Sequence, residues 1–199
     1  MMISDEDSVD LATMNPDKLW TQDKFILSRK MGYVCGPVGA PVPEPNHYIV
    51  RPALNPMGLG LGAEIKFIDC STMDLPLGYF WCELFSGRHI SVDYSYGKQI
   101  LAVEGEQFPN DLTRWKRWWK VDDEIPLPTI LMRFINEPLL NCEFIDGHLI
   151  EVHFRDNPNF RFNNSEYIPV WDGEEINPPE GYTFIEQFGL NKRIGGYIC

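Results

Sequence analysis

Residues 141–158 constrain this chain more than any other stretch, because Asp146-Gly147 separates two apolar runs that carry charged residues at regular intervals. Asp-Gly between apolar runs is a hairpin signal, since both residues tolerate positive φ. The second run alternates, with Glu151, His153 and Arg155 on one side and Ile150, Val152 and Phe154 on the other. A two-residue loop would put Glu143 beside Ile150 and turn Glu151 to the opposite face. A three-residue loop with Gly147 left-handed keeps the odd positions together, and the apolar pattern, with Cys142 and Phe144 in the even set, favours it. Glu143, Glu151, His153 and Arg155 then share one surface. Neighbouring carboxylates repel unless a cation or proton lies between them, so the expectation is a hard divalent ion on this hairpin.

With 44% hydrophobic and 13% aromatic residues among 199, the chain can bury a substantial core. A formal net charge of −12 argues against a general nucleic-acid binder, which needs concentrated positive charge. Asp5, Glu6, Asp7 and Asp10, without a basic residue, do not compose a targeting segment, and no apolar run reaches membrane-spanning length. Five scattered cysteines with no CxxC spacing suggest neither a disulfide framework nor a zinc cluster, and a reducing cytoplasm is the expected setting.

After a flexible acidic tail (1–15), Asp23 to Gly32 reads as a short helix stopped by Gly32. Pro37, Pro41, Pro43 and Pro45 form a stiff connection, and strands are expected at 48–52, 63–68, 79–85, 87–94 and 99–103. Thr129–Asn136 is the best remaining helix. Trp115, Trp118 and Trp119 stand at helical spacing, which predicts a helix burying one aromatic stripe, with Arg114 or Arg117 available as an anion clamp. Strands outnumber helices, so the expected class is α+β, with antiparallel sheets.

The order of these pieces resembles the ATP-grasp superfamily, over roughly residues 17–158. Asp23-Lys24 ahead of a helix and Gly32 is similar to the family's phosphate-binding lysine helix, although Asp17-Lys18 is a rival pair. Tyr48-Ile-Val-Arg51-Pro52 matches the strand that carries a second phosphate-binding lysine, here arginine. Asn55 to Gly62, with Gly58, Gly60 and Gly62, resembles the loop that closes over the phosphates, and Glu83, Leu84 and Phe85 resemble the adenine-binding linker. His89 stands where a carboxylate often holds the ribose. Glu143, Glu151, His153 and Arg155 fall where the family has two magnesium-binding acids, an Asn and an Arg; imidazole for amide moves metal preference towards manganese.

The resemblance implies two lobes clamping ATP and Mg²⁺: about 16–78 with the glycine loop, about 79–160 with the metal hairpin, and a loop-rich extension over about 161–199, all in one domain. It further implies a ligase that turns a carboxylate into an acyl phosphate for attack by an amine or thiol, with Arg155 stabilising the transferred phosphoryl group. Only about twenty residues precede Lys24, where the family usually carries another domain. The expected partners are therefore a small or protein-borne carboxylate substrate and a partner chain or second copy completing the acceptor side. The alternative is a catalytically degenerate scaffold that binds nucleotide or another protein without turnover.

Overall fold

A computed structural model describes residues 15–54, 60–70, 72–109, 111–187 and 192–199. The expected tail through residue 14 and Gly58 of the glycine loop lie outside the described residues. A 3₁₀ turn at Pro16–Lys18 leads into a single helical turn, α1 (Leu19–Gln22), which is followed by α2 (Lys24–Met31). Asp23 caps α2 by accepting the Ile26 N–H at 2.9 Å, and Gly32, at φ 81°, closes it in the left-handed conformation that glycine adopts without strain. The Lys24 N–H donates to the Ala53 carbonyl at 2.8 Å, which ties the helix start to the end of a strand.

Strands β1 (Cys35–Pro37), β2 (Asn46–Pro52), β3 (Glu64–Ile68) and β4 (Tyr79–Glu83) form a four-stranded sheet in the order β1-β4-β2-β3. The chain then enters a larger sheet through β5 (His89–Ser95), β6 (Lys98–Gln107), β7 (Trp115–Lys120), β8 (Leu140–Ile145) and β9 (His148–His153). Strands β10 (Glu166–Trp171), β11 (Thr183–Glu186) and β12 (Arg193–Ile198) complete it, in the order β11-β12-β10-β7-β6-β5-β8-β9. Every pairing among the described residues is antiparallel, and with few helices beside them the class is α+β, as expected. No helix among the described residues is long and apolar enough to cross a membrane.

Alternation along the strands divides the larger sheet into a core face and a polar face. Val92, Tyr94, Leu140, Cys142, Phe144 and Val152 are buried together with Leu27 of α2 and with Leu131 and Phe134 of a 3₁₀ segment. The intervening residues of the same strands, His89, Asn141, Glu143, Glu151 and His153, face a cavity on the other side.

Three local expectations are corrected. Residues 114–120 are not a helix: they lie in strand β7 and its approach. Gln107 pairs with Trp115 and Glu106 with Arg117, so Lys116 is the extra residue of a β-bulge, which lets Trp115 and Trp118 be buried together with ring centroids 4.2 Å apart. A bulged strand thus mimics helical spacing. Second, the Thr129–Asn136 segment is helical but 3₁₀, spanning Thr129–Phe134, between Pro128 and Pro138. Third, the hairpin turn has two residues, not three. Asp146 (φ 48°) and Gly147 (φ 81°) are both left-handed, the backbone of a type I′ turn that matches strand twist, and Ile145 pairs directly with His148. The register is restored by a bulge: Phe144 pairs with Leu149 and Glu143 with Glu151, leaving Ile150 extra. Leu149 therefore takes the core position expected of Ile150, and Ile150 faces the cavity with Glu151.

Candidate functional site

A cavity of about 410 Å³ is lined by both sheets and by α2. Among the described residues its charged lining is Lys24, Arg51, Arg155 and Arg193 with Glu143 and Glu151, so basic groups gather here in a chain of net charge −12.

The β8–β9 hairpin sets the centre of the site. One ligand atom each from Glu143, Glu151 and His153 lie within 4.8 Å of one another. The bulge at Ile150 makes the two glutamates cross-strand neighbours, and His153 follows Glu151 on the same face. In this arrangement nitrogen groups surround the carboxylates. Lys24 Nζ pairs with Glu151 Oε1, and Arg51 Nη1 lies 3.4 Å from the same oxygen. His153 Nε2 is 3.6 Å from Glu151 Oε2 and 4.0 Å from Glu143 Oε1, and His89 Nε2 is 3.1 Å from Glu143 Oε2. Burial alone would push the Glu151 carboxyl up, but the charges of Lys24 and Arg51 and the His153 contact outweigh it and hold the group well below the usual carboxylate range. A cluster of two carboxylates and an imidazole suits a divalent cation, and the lysine and arginine beside it offset the negative charge.

Lys24 is the lysine of the two Asp-Lys pairs that reaches the cavity, although only 8% of it is exposed. Lys18 instead pairs with Glu137 at 2.6 Å. Gly60 lines the cavity at φ 63°, whereas Gly62, at φ 79°, is set against Tyr79 and Pro52. Glu83 is engaged with the segment before β1: its N–H donates to the Val34 carbonyl at 2.8 Å, and its carboxylate accepts the Val34 N–H at 2.8 Å. Leu84 and Phe85 line the cavity beyond it. His89 stands edge-on to Trp115 and Trp118, with centroids 4.6 and 5.5 Å away. Arg155 lines the cavity, and its Nη1 donates to the Asp156 carbonyl at 3.1 Å. The suggested clamps are engaged elsewhere: Arg114 pairs with Glu174 at 2.8 Å and Arg117 with Glu106 at 3.0 Å.

Sequence reasoning named Phe85 but not its surroundings: it stacks on His148 at 4.2 Å and meets Tyr33 edge-on at 4.7 Å, an aromatic group formed by the first residue of β9, a linker residue and a post-helix residue distant in sequence. Asn141 was not singled out, although its place two before Glu143 on the same strand face could have shown it. Its Nδ2 donates to Ser91 Oγ and Asp93 Oδ1, both at 2.7 Å. The Asn157 N–H donates to Asp93 Oδ1 and Oδ2 at 3.1 and 2.9 Å. Burial pushes the Asp93 carboxyl up to about 6, against the opposing pull of the Asn157 and Asn141 donors.

No protein-family model matches the sequence, and no curated protein matches it. Solved structures do match the fold. An Archaeoglobus fulgidus protein assigned to the ATP-grasp superfamily aligns with 90% of this chain at a TM-score of 0.50 and 16% identity, over 64% of its own length. N5-carboxyaminoimidazole synthetase from Staphylococcus aureus, solved with ADP, aligns with 90% of this chain at a TM-score of 0.53 and 11% identity, over 67% of its length. The chain thus spans about two thirds of these structures, and its fold is of the ATP-grasp type.

Proposed function

We propose that this chain is an ATP- and Mg²⁺-dependent ligase that activates a substrate carboxylate as an acyl phosphate for attack by an amine or thiol. The observation that carries this reading is the Glu143–Glu151–His153 cluster facing Lys24 and Arg51 inside one cavity of an ATP-grasp fold. Lys24 and Arg51 exchange their hold on Glu151 for the nucleotide phosphates, the arginine as a bidentate fork. Gly60 brings backbone close to the phosphates, and the Leu84–Phe85 backbone meets the adenine edge while Phe85 offers a flat apolar face. Glu143, Glu151 and His153 hold the metal, whose chemistry is to neutralise phosphate charge and fix its orientation. The nitrogen ligand makes Mn²⁺ a competent substitute.

The substrate carboxylate oxygen attacks the terminal phosphorus, the bond to the bridging oxygen breaks, and ADP leaves; Arg155 steadies the charge on the transferred group. The amine or thiol then displaces phosphate from the acyl carbon. His89 turns towards Glu143, so in this reading it orients a metal ligand instead of holding the ribose. Residues 16–199 act as one unit in the cytoplasm, and a partner chain or second copy contributes to the acceptor side.

A second reading is favoured by the closure of Lys24, Arg51, His89 and His153 on the two glutamates: a self-neutralised scaffold that binds nucleotide without turnover. Calorimetric titration with a non-hydrolysable ATP analogue, with and without Mg²⁺, tests both. Metal-dependent binding that disappears in Glu151→Gln, followed by ADP release with carboxylate and amine acceptors, supports the ligase. Binding without ADP release across an acceptor panel supports the scaffold, and no binding in either condition defeats both.

A further inference from the structure

We infer that Cys35 and Cys82 form a dithiol site that a low-molecular-weight disulfide oxidises to a cross-strand bond, reversibly stapling β1 to the wall of the cavity. The inference stands independently of the ligase reading. The two cysteines are far apart in sequence, but strand pairing opposes them: in the antiparallel β1–β4 pair, Cys35 is the direct partner of Cys82. One residue further out, the Glu83 N–H donates to the Val34 carbonyl at 2.8 Å, which marks Val34 and Glu83 as a hydrogen-bonded pair. Pair types alternate along an antiparallel ladder, so Cys35 and Cys82 form a non-hydrogen-bonded pair, the kind with Cα atoms about 4.5 Å apart and the closer side chains. That spacing falls inside the roughly 4.4–6.8 Å that disulfides span. Strand pairing among the described residues opposes no other two cysteines. Cys142 is sealed in the core of the larger sheet, and Cys70 and Cys199 are exposed.

The pair is built into the cavity wall. Cys82 is only 2% exposed and lines the cavity with Lys24 and Ser28 of α2, as does its β2 partner Ile49. Cys35 is only partly buried, so it is the sulfur that a small oxidant reaches. Burial raises both thiols, Cys82 to about 12, but at Cys35 the charge of Arg29 and a hydrogen bond with Cys82 oppose the rise. That hydrogen bond also brings the two sulfurs within reach of each other. The Cys35 thiolate attacks one sulfur of the oxidant and expels its other half as a thiolate. The Cys82 thiolate then attacks the Cys35 sulfur of the mixed disulfide and expels the second half. In sum, the two cysteine thiols lose two electrons and two protons, and the oxidant takes them up as two thiols. The bond closes a loop containing β2 and β3, and it ties β1 to the strand that leads into Leu84 and Phe85 at the cavity.

The test incubates the full, folded chain with oxidised glutathione, blocks the remaining thiols and maps disulfides by peptide mass spectrometry. The expected product carries a linked Cys35–Cys82 peptide, lighter by two hydrogens, that dithiothreitol returns to free thiols. Cys82→Ser stops at a glutathione adduct on Cys35. A Cys70→Ser/Cys199→Ser double variant, which lacks both exposed thiols, keeps the link. Should Cys82→Ser fail to fold by circular dichroism, the wild type and the double variant decide. Absence of the linked peptide from either folded protein overturns the site, as does a link that forms only in urea. Urea unfolding of the oxidised and reduced wild type adds a second readout. An oxidised midpoint at or above the reduced one is expected, and a lower midpoint overturns the fit of the bond to this register.

Discussion

Glu151 and Asp93 are carboxylates on one sheet, separated by a single intervening strand, and their surroundings are opposite. Lys24, Arg51 and His153 answer Glu151, and the group stays ionised far below its ordinary range. Burial lifts the Asp93 carboxyl to about 6, and what answers it are neutral donors from Asn141 and Asn157, which pull the other way without prevailing. The difference separates two jobs. Charges gather where the cavity can admit a ligand that replaces them, whereas amide donors brace the floor on which Asn141 and the Asn157 loop are set. Mobile counter-ions suit exchange, and hydrogen bonds of fixed direction suit positioning.

The largest effect is expected from removing the charged partner. Glu151→Gln leaves Lys24 and Arg51 facing one another without their carboxylate, and loss of one partner of a buried pair costs on the order of 3 kcal/mol. Urea unfolding of the metal-free protein measures it, alongside the loss of metal-dependent nucleotide binding. A variant as stable as the wild type would show that Lys24 and Arg51 find solvent easily, and the contrast with Asp93 would then lose its electrostatic basis.

The comparison also predicts opposite pH responses. Glu151 has a depressed folded pKa, so its stabilisation is present above its unfolded pKa, near 4.5, and is lost as pH falls below that. Asp93 is raised from 3.8 to about 6, so the folded state holds its proton where the unfolded state has lost it. Its contribution is fully present below pH 4 and is lost as pH rises through about 6. A shift of this size corresponds to roughly 2–3 kcal/mol across that window. Asp93→Asn should flatten the decline in stability between pH 4 and 6, measured as unfolding midpoints in parallel buffers. An unchanged slope would mean that another group controls this range.

How much of this contrast was legible beforehand depends on the range of the interaction. The α2 caps are local chemistry: Asp23 reaches three residues forward, and Gly32 supplies its own φ, so both could be read from neighbours. The shared face of Glu143, Glu151 and His153 could also be read from alternation. The device that produces it could not, because an Asp-Gly turn admits two- and three-residue loops and a bulge leaves no signature in polarity alone. The same blindness turned β7 into an expected helix, since the bulge at Lys116 and a helix both bring Trp115 and Trp118 to one side. Asp93 went unremarked because its partners Asn141 and Asn157 are 48 and 64 residues away.

The smallest effect tests which device holds the hairpin in register. Gly147 sits at φ 81° with nothing within 4 Å of where a Cβ would fall, so Gly147→Ala meets backbone strain but no clash. The cost of an L-residue in this conformation is about 1 kcal/mol. Because the bulge at Ile150, beyond the turn, sets Glu143 opposite Glu151, metal-dependent nucleotide affinity should remain near wild type while the urea midpoint falls slightly. A collapse of affinity at this modest stability cost would assign the register to the turn. The charged cluster would then depend on a single glycine, whereas the Asp93 floor, built on β5, β8 and the Asn157 loop, would keep its raised pKa and its pH response unchanged.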